Sequence, residues 1–115
     1  MTPYGFEVVE RDEVMVRVDL SGELDLTNAT ELELQLDEAV PGEARLVLDL
    51  NRVGFIDSAA IHVLFRLARR RGRGQLAVVI HPDAPAARTL EIVGLEHAAT
   101  LVASIEALPL PAEQP

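Results

Sequence analysis

The chain has 115 residues, 49% hydrophobic and 25% charged, which leaves room for one hydrophobic core and suits one globular domain. Ten basic residues against nineteen acidic ones give a net charge of −9, a surface that repels phosphate backbones, so direct nucleic-acid binding is not expected. All the basic residues are arginine and cysteine is absent, which excludes disulfides, thiolate chemistry, Schiff-base lysines and the phosphate-gripping lysine of a P-loop.

No apolar run approaches the roughly 20 residues that span a bilayer, so membrane insertion is not expected. Residues Met1 to Glu7 lack a basic region followed by an apolar stretch. Nothing there marks secretion, and cytoplasm is the expected compartment.

Val14, Val16, Val18 and Leu20 alternate with Met15, Arg17, Asp19 and Ser21, the period of a strand with one buried face. Phe6 to Val9 is expected to pair with it through the polar connection Glu10 to Glu13, which carries no Asn-Gly signal. From Asn28, residues Ala29, Leu32, Leu36 and Ala39 or Val40 fall on one stripe at helical spacing, predicting a helix over 28–40. Asn28 followed by Glu31 resembles a capping box, and Pro41-Gly42 supplies a stop.

Arg45 to Leu50 is nearly all apolar, as a strand covered on both faces is, and is expected to lie centrally. Asp57 opens a second helix with Ala60, Ile61, Leu64, Leu67 and Ala68 on its apolar stripe, closing near Gly72 and Gly74. A strand over 75–80 follows, then a helix over 84–93 ended by Gly94, a short strand over 99–103 and a last turn over 104–108. The tail 109–115, with three prolines, is expected to fray. Strands alternating with helices predict an α/β fold, with helices packed largely on one face of a four- to five-stranded sheet. The chain 1–115 reads as one domain with its core over about 6–108.

The stretch Val53 to Ile61 reads as a buried strand leading through a tight loop into a helix start, where polar groups stand exposed on a rigid support. Asp57 can accept hydrogen bonds from the first free N–H groups of the helix, leaving the Ser58 hydroxyl toward solvent. Taken alone, the pair is simply a helix cap.

Leu20-Ser-Gly-Glu-Leu-Asp-Leu26, Leu46-Val-Leu-Asp-Leu50, Phe55-Ile-Asp-Ser58 and Leu90-Glu-Ile-Val-Gly-Leu95 occur in the order seen in the STAS family. Over about residues 6–108 the chain resembles the stand-alone anti-sigma factor antagonists of that family. The resemblance implies a single layer of helices on a mixed sheet. It also implies a binding module, not an enzyme, whose partner is an anti-sigma factor that is also a serine/threonine kinase. Binding of that partner would release a sigma factor, and phosphorylation of Ser58 would end the binding. Asp25 matches the family's loop aspartate near the phosphorylated serine. The surface expected to meet the partner comprises Asp25, Asp57, Ser58, Ala59 and His62. Family members usually follow the Asp-Ser pair with Ser or Thr and then Gly, whereas this chain has Ala59 and Ala60. The added methyl is expected where a partner backbone approaches closely, and the missing hydroxyl removes a possible hydrogen bond.

Rival chemistry is weakly supported by spacing. Ser58 and His62 share a helical face, but Asp57 is poorly placed to reach the far imidazole nitrogen and no G-x-S-x-G elbow surrounds Ser58. His62, His81 and His97 lack the spacing of a metal site, so neither metal nor cofactor is expected. Arg66, Arg69, Arg70, Arg71 and Arg73 read as a solvated, dipole-matched helix end or, alternatively, as a patch for an acidic partner. An unphosphorylated STAS subunit of a larger sensory or lipid-transport assembly is the alternative function, and the free protein is expected to be a monomer or weak dimer.

Overall fold

Val16, Val18 and Leu20 are all buried on one face of a strand, β2, spanning Met15–Leu24. The computed structural model describes residues 1–40, 42–72 and 74–109. Upstream, β1 (Tyr4–Arg11) pairs antiparallel with β2. Their connection needs no Asn-Gly turn because the Asp12 carboxylate accepts the N–H groups of Val14 and Met15, each at 2.8 Å.

The chain continues through α1 (Ala29–Ala39), β3 (Arg45–Ile56), α2 (Ser58–Arg71), β4 (Leu76–Val79), α3 (Ala87–Ile92) and β5 (Thr100–Val102). Single 3₁₀ turns form at Leu95–His97 and Ile105–Ala107. The five strands lie side by side in sequence order, and every pair after the first is parallel. A right-handed crossover that always steps to the next strand leaves its helix on the same face each time. The core follows suit: Leu36, Leu64, Leu67 and Leu90 from the helices share one cluster with Leu20, Leu48 and Val78 from the strands. The expected α/β fold, one layer of helices on a mixed sheet, is therefore present with five strands.

On the opposite face a smaller cluster of Val47, Ala77 and Val79 is covered by Met15, Val102, Ile105 and Leu108. Over β2 and β3 that face turns polar, with Arg17 lying 3.6 Å from both Asp19 and Asp49.

Several elements differ from their predicted bounds. The first strand runs Tyr4–Arg11, taking in part of the expected connection, and Val14, expected on the buried face, precedes β2 and is 56% exposed. The third helix was expected over 84–93 but spans only Ala87–Ile92, because two successive turns, Ala84 N to His81 O and Ala87 N to Ala84 O, precede it. Pro85 disfavours helical backbone at the preceding Ala84, and Gly94 ends the helix in the left-handed region at φ 72°. The central strand runs past Leu50 to Ile56, since its second half still pairs with β2 after β4 has ended its pairing at Asp49. Pro41, Arg73 and the tail beyond Pro109 lie outside the described residues.

The arginine run is not a merely solvated helix end. Arg66 and Arg70 of α2 reach across to Glu33 of α1 at 2.8 and 2.6 Å, and Arg70 also meets Asp37 at 3.0 Å. Arg71 donates to the carbonyl of Val40 at 3.1 Å, and Arg11 to that of Ala39 at 2.6 Å. The C-terminal carbonyls of α1 thus receive cations from other elements, where the helix dipole favours them.

Hydrogen bonds from Arg66 first, and then from Arg70, hold the Glu33 carboxyl down from 4.5 to about 2 despite its partial burial. A carboxyl depressed in the folded state adds stability that is complete above its unfolded value and is lost as pH falls through the folded one. With both arginines 44% exposed, screening limits the contribution to about 1 kcal/mol. Urea denaturation should show the parent more stable than Glu33→Gln by that amount above about pH 5, the difference shrinking as pH falls toward about 2. A difference that stays constant down to pH 2 would rule out the ion pairs as its source.

Candidate functional site

Leu24 of β2 lies opposite Ile56 of β3 in parallel register. The loop after each strand therefore leaves the sheet at the same end, side by side. Asp57 joins them. Its N–H donates to the carbonyl of Leu24 at 3.1 Å. One carboxylate oxygen, Oδ1, accepts from the N–H of Ala60 at 3.1 Å and caps α2, while Oδ2 accepts from the N–H of Leu26 at 3.0 Å in the neighbouring loop. Extended backbone at Asp57 (φ −102°, ψ −178°) aims the side chain in the way an N-cap requires.

Ser58 follows as the first residue of α2 and is exposed. Among the described residues its hydroxyl makes no hydrogen bond. His62, one turn on, is exposed as well. With both Asp57 oxygens engaged by backbone N–H groups, the aspartate does not orient His62, and the three residues do not assemble as a hydrolase triad. No group of three or more His, Asp or Glu among the described residues could hold a metal ion, and no described helix is long and apolar enough to cross a membrane.

Asp25 lies in the adjoining loop, as the sequence implied, but its Oδ1 is turned into that loop. It accepts from the N–H of Thr27 at 2.8 Å and from its hydroxyl at 2.6 Å. The Thr27 hydroxyl first, and the Thr2 hydroxyl next, hold the Asp25 carboxyl below the usual carboxylate range.

The expected capping box at Asn28 and Glu31 does not form, since Asn28 gives α1 no side-chain cap. Instead its fully buried amide accepts from the N–H of Asp25 at 3.0 Å and donates to the carbonyls of Glu23 and Thr2 at 2.9 Å each. An Asn three residues before a Glu fits both roles in the sequence. Only the return of the chain's first residues beside this loop decides between them.

Ala59 is half-buried against the core, while Ala60 is fully buried within it. The methyl that replaces the family's glycine therefore faces the interior and not an approaching partner, which corrects the expectation drawn from the sequence. The lost hydroxyl at Ala59 remains a difference close to the surface.

Two residues that the sequence reading did not single out lie at this end of the sheet. Leu26 is 77% exposed and Phe55 52% exposed, so the end of β3 is not the wholly buried strand expected there. For Leu26 a signal was available, an apolar residue inside the polar turn Asp25 to Asn28; the exposure of Phe55 follows from a shift in strand register at Gly54 that only the structure shows.

A family model described as "Mlab, STAS domain" matches residues 8–103. No curated protein matches the sequence at a significant level. The crystal structure of an anti-sigma factor antagonist from Mycobacterium paratuberculosis is similar with a TM-score of 0.78 and 25% identity, covering 90% of this chain and 89% of that one. The anti-sigma factor antagonist SpoIIAA in its unphosphorylated form is similar with a TM-score of 0.62 and 17% identity over 89% of this chain and 91% of that one. A Thermotoga maritima protein provisionally described as an anti-sigma factor antagonist gives 0.69 and 18% over 90% and 88%. At these last two identities the likeness speaks for the fold.

Removing the two loop-organising side chains should have unequal effects. Asn28→Ala leaves buried backbone groups without partners and should cost about 2–3 kcal/mol, whereas Asp57→Ala, losing a cap at the surface, should cost about 0.5–2 kcal/mol. Chemical denaturation measures both. An Asn28→Ala protein as stable as the parent would show that these buried bonds do not hold the loop.

Proposed function

The chain belongs to the STAS domain family, and from that premise we propose that it is an anti-sigma factor antagonist, switched by phosphorylation of Ser58. It binds an anti-sigma factor serine/threonine kinase, frees the sigma factor and is released once modified. The observation that carries this reading is the position of Ser58: an exposed, unbonded hydroxyl at the start of α2, beside a loop fastened to the same aspartate. The likeness to an anti-sigma factor antagonist at 25% identity supports the role.

In the transfer step the Ser58 oxygen attacks the γ-phosphorus of kinase-bound ATP, the bond to the β-phosphate oxygen breaks, ADP leaves and the serine proton passes to a base of the kinase. The protein is the acceptor and supplies no catalytic group. The added charge of about −1.5 to −2 sits at a helix N-terminus, where anions are tolerated, so the fold persists and the effect falls on the partner. In this reading Asp25, Asp57, Ser58, Ala59 and His62 form the contact face, and the protein works in the cytoplasm as a monomer or weak dimer without a cofactor. The acidic surface keeps it off nucleic acid.

A second reading, an unphosphorylated STAS subunit of a larger assembly, is favoured by the Mlab description of the matching family model and by Ala59 in place of a hydroxyl residue.

Mass spectrometry after incubation with ATP and the cognate kinase should find one phosphate, on Ser58. Ser58→Ala should take up none, stay within about 0.5 kcal/mol of parent stability and still bind the kinase. Ser58→Asp should bind it at least about tenfold more weakly. Asp25→Ala, which releases the Thr27 turn, should weaken binding too. Phosphate on another residue, or a Ser58→Asp protein that binds like the parent, would replace the switch with the subunit reading.

A further inference from the structure

Exposed apolar side chains of this size are informative where they gather at one site. Leu26 lies in the loop after β2 and Phe55 near the end of β3, at the end of the sheet that leads into Ser58. Neither is on a loose segment. The N–H of Leu26 is held at 3.0 Å by Asp57, and Phe55 is paired with Glu23 within the sheet. Anchors already fixed in place lose little conformational freedom on binding.

The charges around them are mostly acidic. Glu23, Asp25 and Asp57 lie in segments 23–28 and 53–62, and the exposed Arg52, three residues before Phe55, is the one cation next to them in the chain. We infer that Leu26 and Phe55 are the apolar anchors of the contact face, and that the kinase receives them in an apolar pocket bordered by Arg or Lys side chains. The inference rests on the function proposed above and deepens it.

It also decides how the switch works. A cationic border attracts a phosphate in solution, so charge repulsion does not explain release. Ser58 opens α2 three residues after Phe55, next to the aspartate that holds Leu26, and a dianion there must shed its water to enter a dry contact, which is costly even beside cations. Added salt screens the attraction to the border but leaves the desolvation cost in place. The penalty for a negative charge at position 58 should therefore be undiminished at high salt.

The test measures affinity for the anti-sigma factor serine kinases of the source genome, using parent, Leu26→Ala, Phe55→Ala, Ser58→Asp and Leu34→Ala as an exposed control on α1. Phe55→Thr stands in should Phe55→Ala lose its fold by circular dichroism. Leu26→Ala and Phe55→Ala should each weaken binding at least about tenfold, with Leu34→Ala unchanged. The ratio of parent to Ser58→Asp affinity should be at least as large at about 500 mM salt as at about 50 mM. If the parent binds and the anchor variants bind like Leu34→Ala, or the ratio falls to one at high salt, the anchors are refuted and the proposed function survives. If the parent binds none of the kinases, the function falls and the anchors with it.

Discussion

The Asp57 carboxylate holds two separate pieces of chain with its two oxygens, capping α2 through Ala60 and gripping the neighbouring loop through Leu26. An ordinary N-cap uses one acceptor atom for its helix; here the second serves a residue 31 positions away in the chain. The consequence is that the first turn of α2 and the loop after β2 form one surface. Ser58 sits on it, outside the hydrogen-bonding network, so its hydroxyl can be modified without breaking a bond that the fold uses. A serine that was itself the cap could not be changed so freely.

The sheet makes that arrangement possible. Because β2 and β3 are parallel neighbours, their ends fall together, and the fully buried Asn28 fixes the loop from beneath by binding Asp25, Glu23 and Thr2. On the flank, Glu33 with Arg66 and Arg70 ties α1 to α2. The two helices whose starts frame the site are thereby linked along their lengths. Stability is invested around Ser58 and not in it.

The period-two strands and the apolar stripes of the helices were legible in the sequence because local spacing alone sets them. Val16, Val18, Leu32, Leu36, Leu64 and Leu67 are all buried as their spacing implied. The short α3 was less so, since turn formation around Pro85 competes with helical pattern over a few residues. At the site, Asp57 as a cap and Ser58 as exposed were readable from the loop-to-helix boundary. The second bond of Asp57, the buried role of Asn28 and the exposure of Phe55 were not, because each depends on a neighbour distant in sequence. The inward-facing methyl of Ala60 likewise needed the helix's orientation against the core.

Under the proposed function, an acidic protein with exposed apolar side chains near the serine that accepts phosphate is suited to binding that is reversed without unfolding. That proposal is tested most directly by amide chemical shifts of the protein before and after phosphorylation by the proposed kinase partner. The account predicts changes confined to residues 23–28 and 53–62, with unaltered signals from β4, α3 and β5. Changes spreading through those distant elements would mean that the phosphate acts by remodelling the fold, and would contradict it.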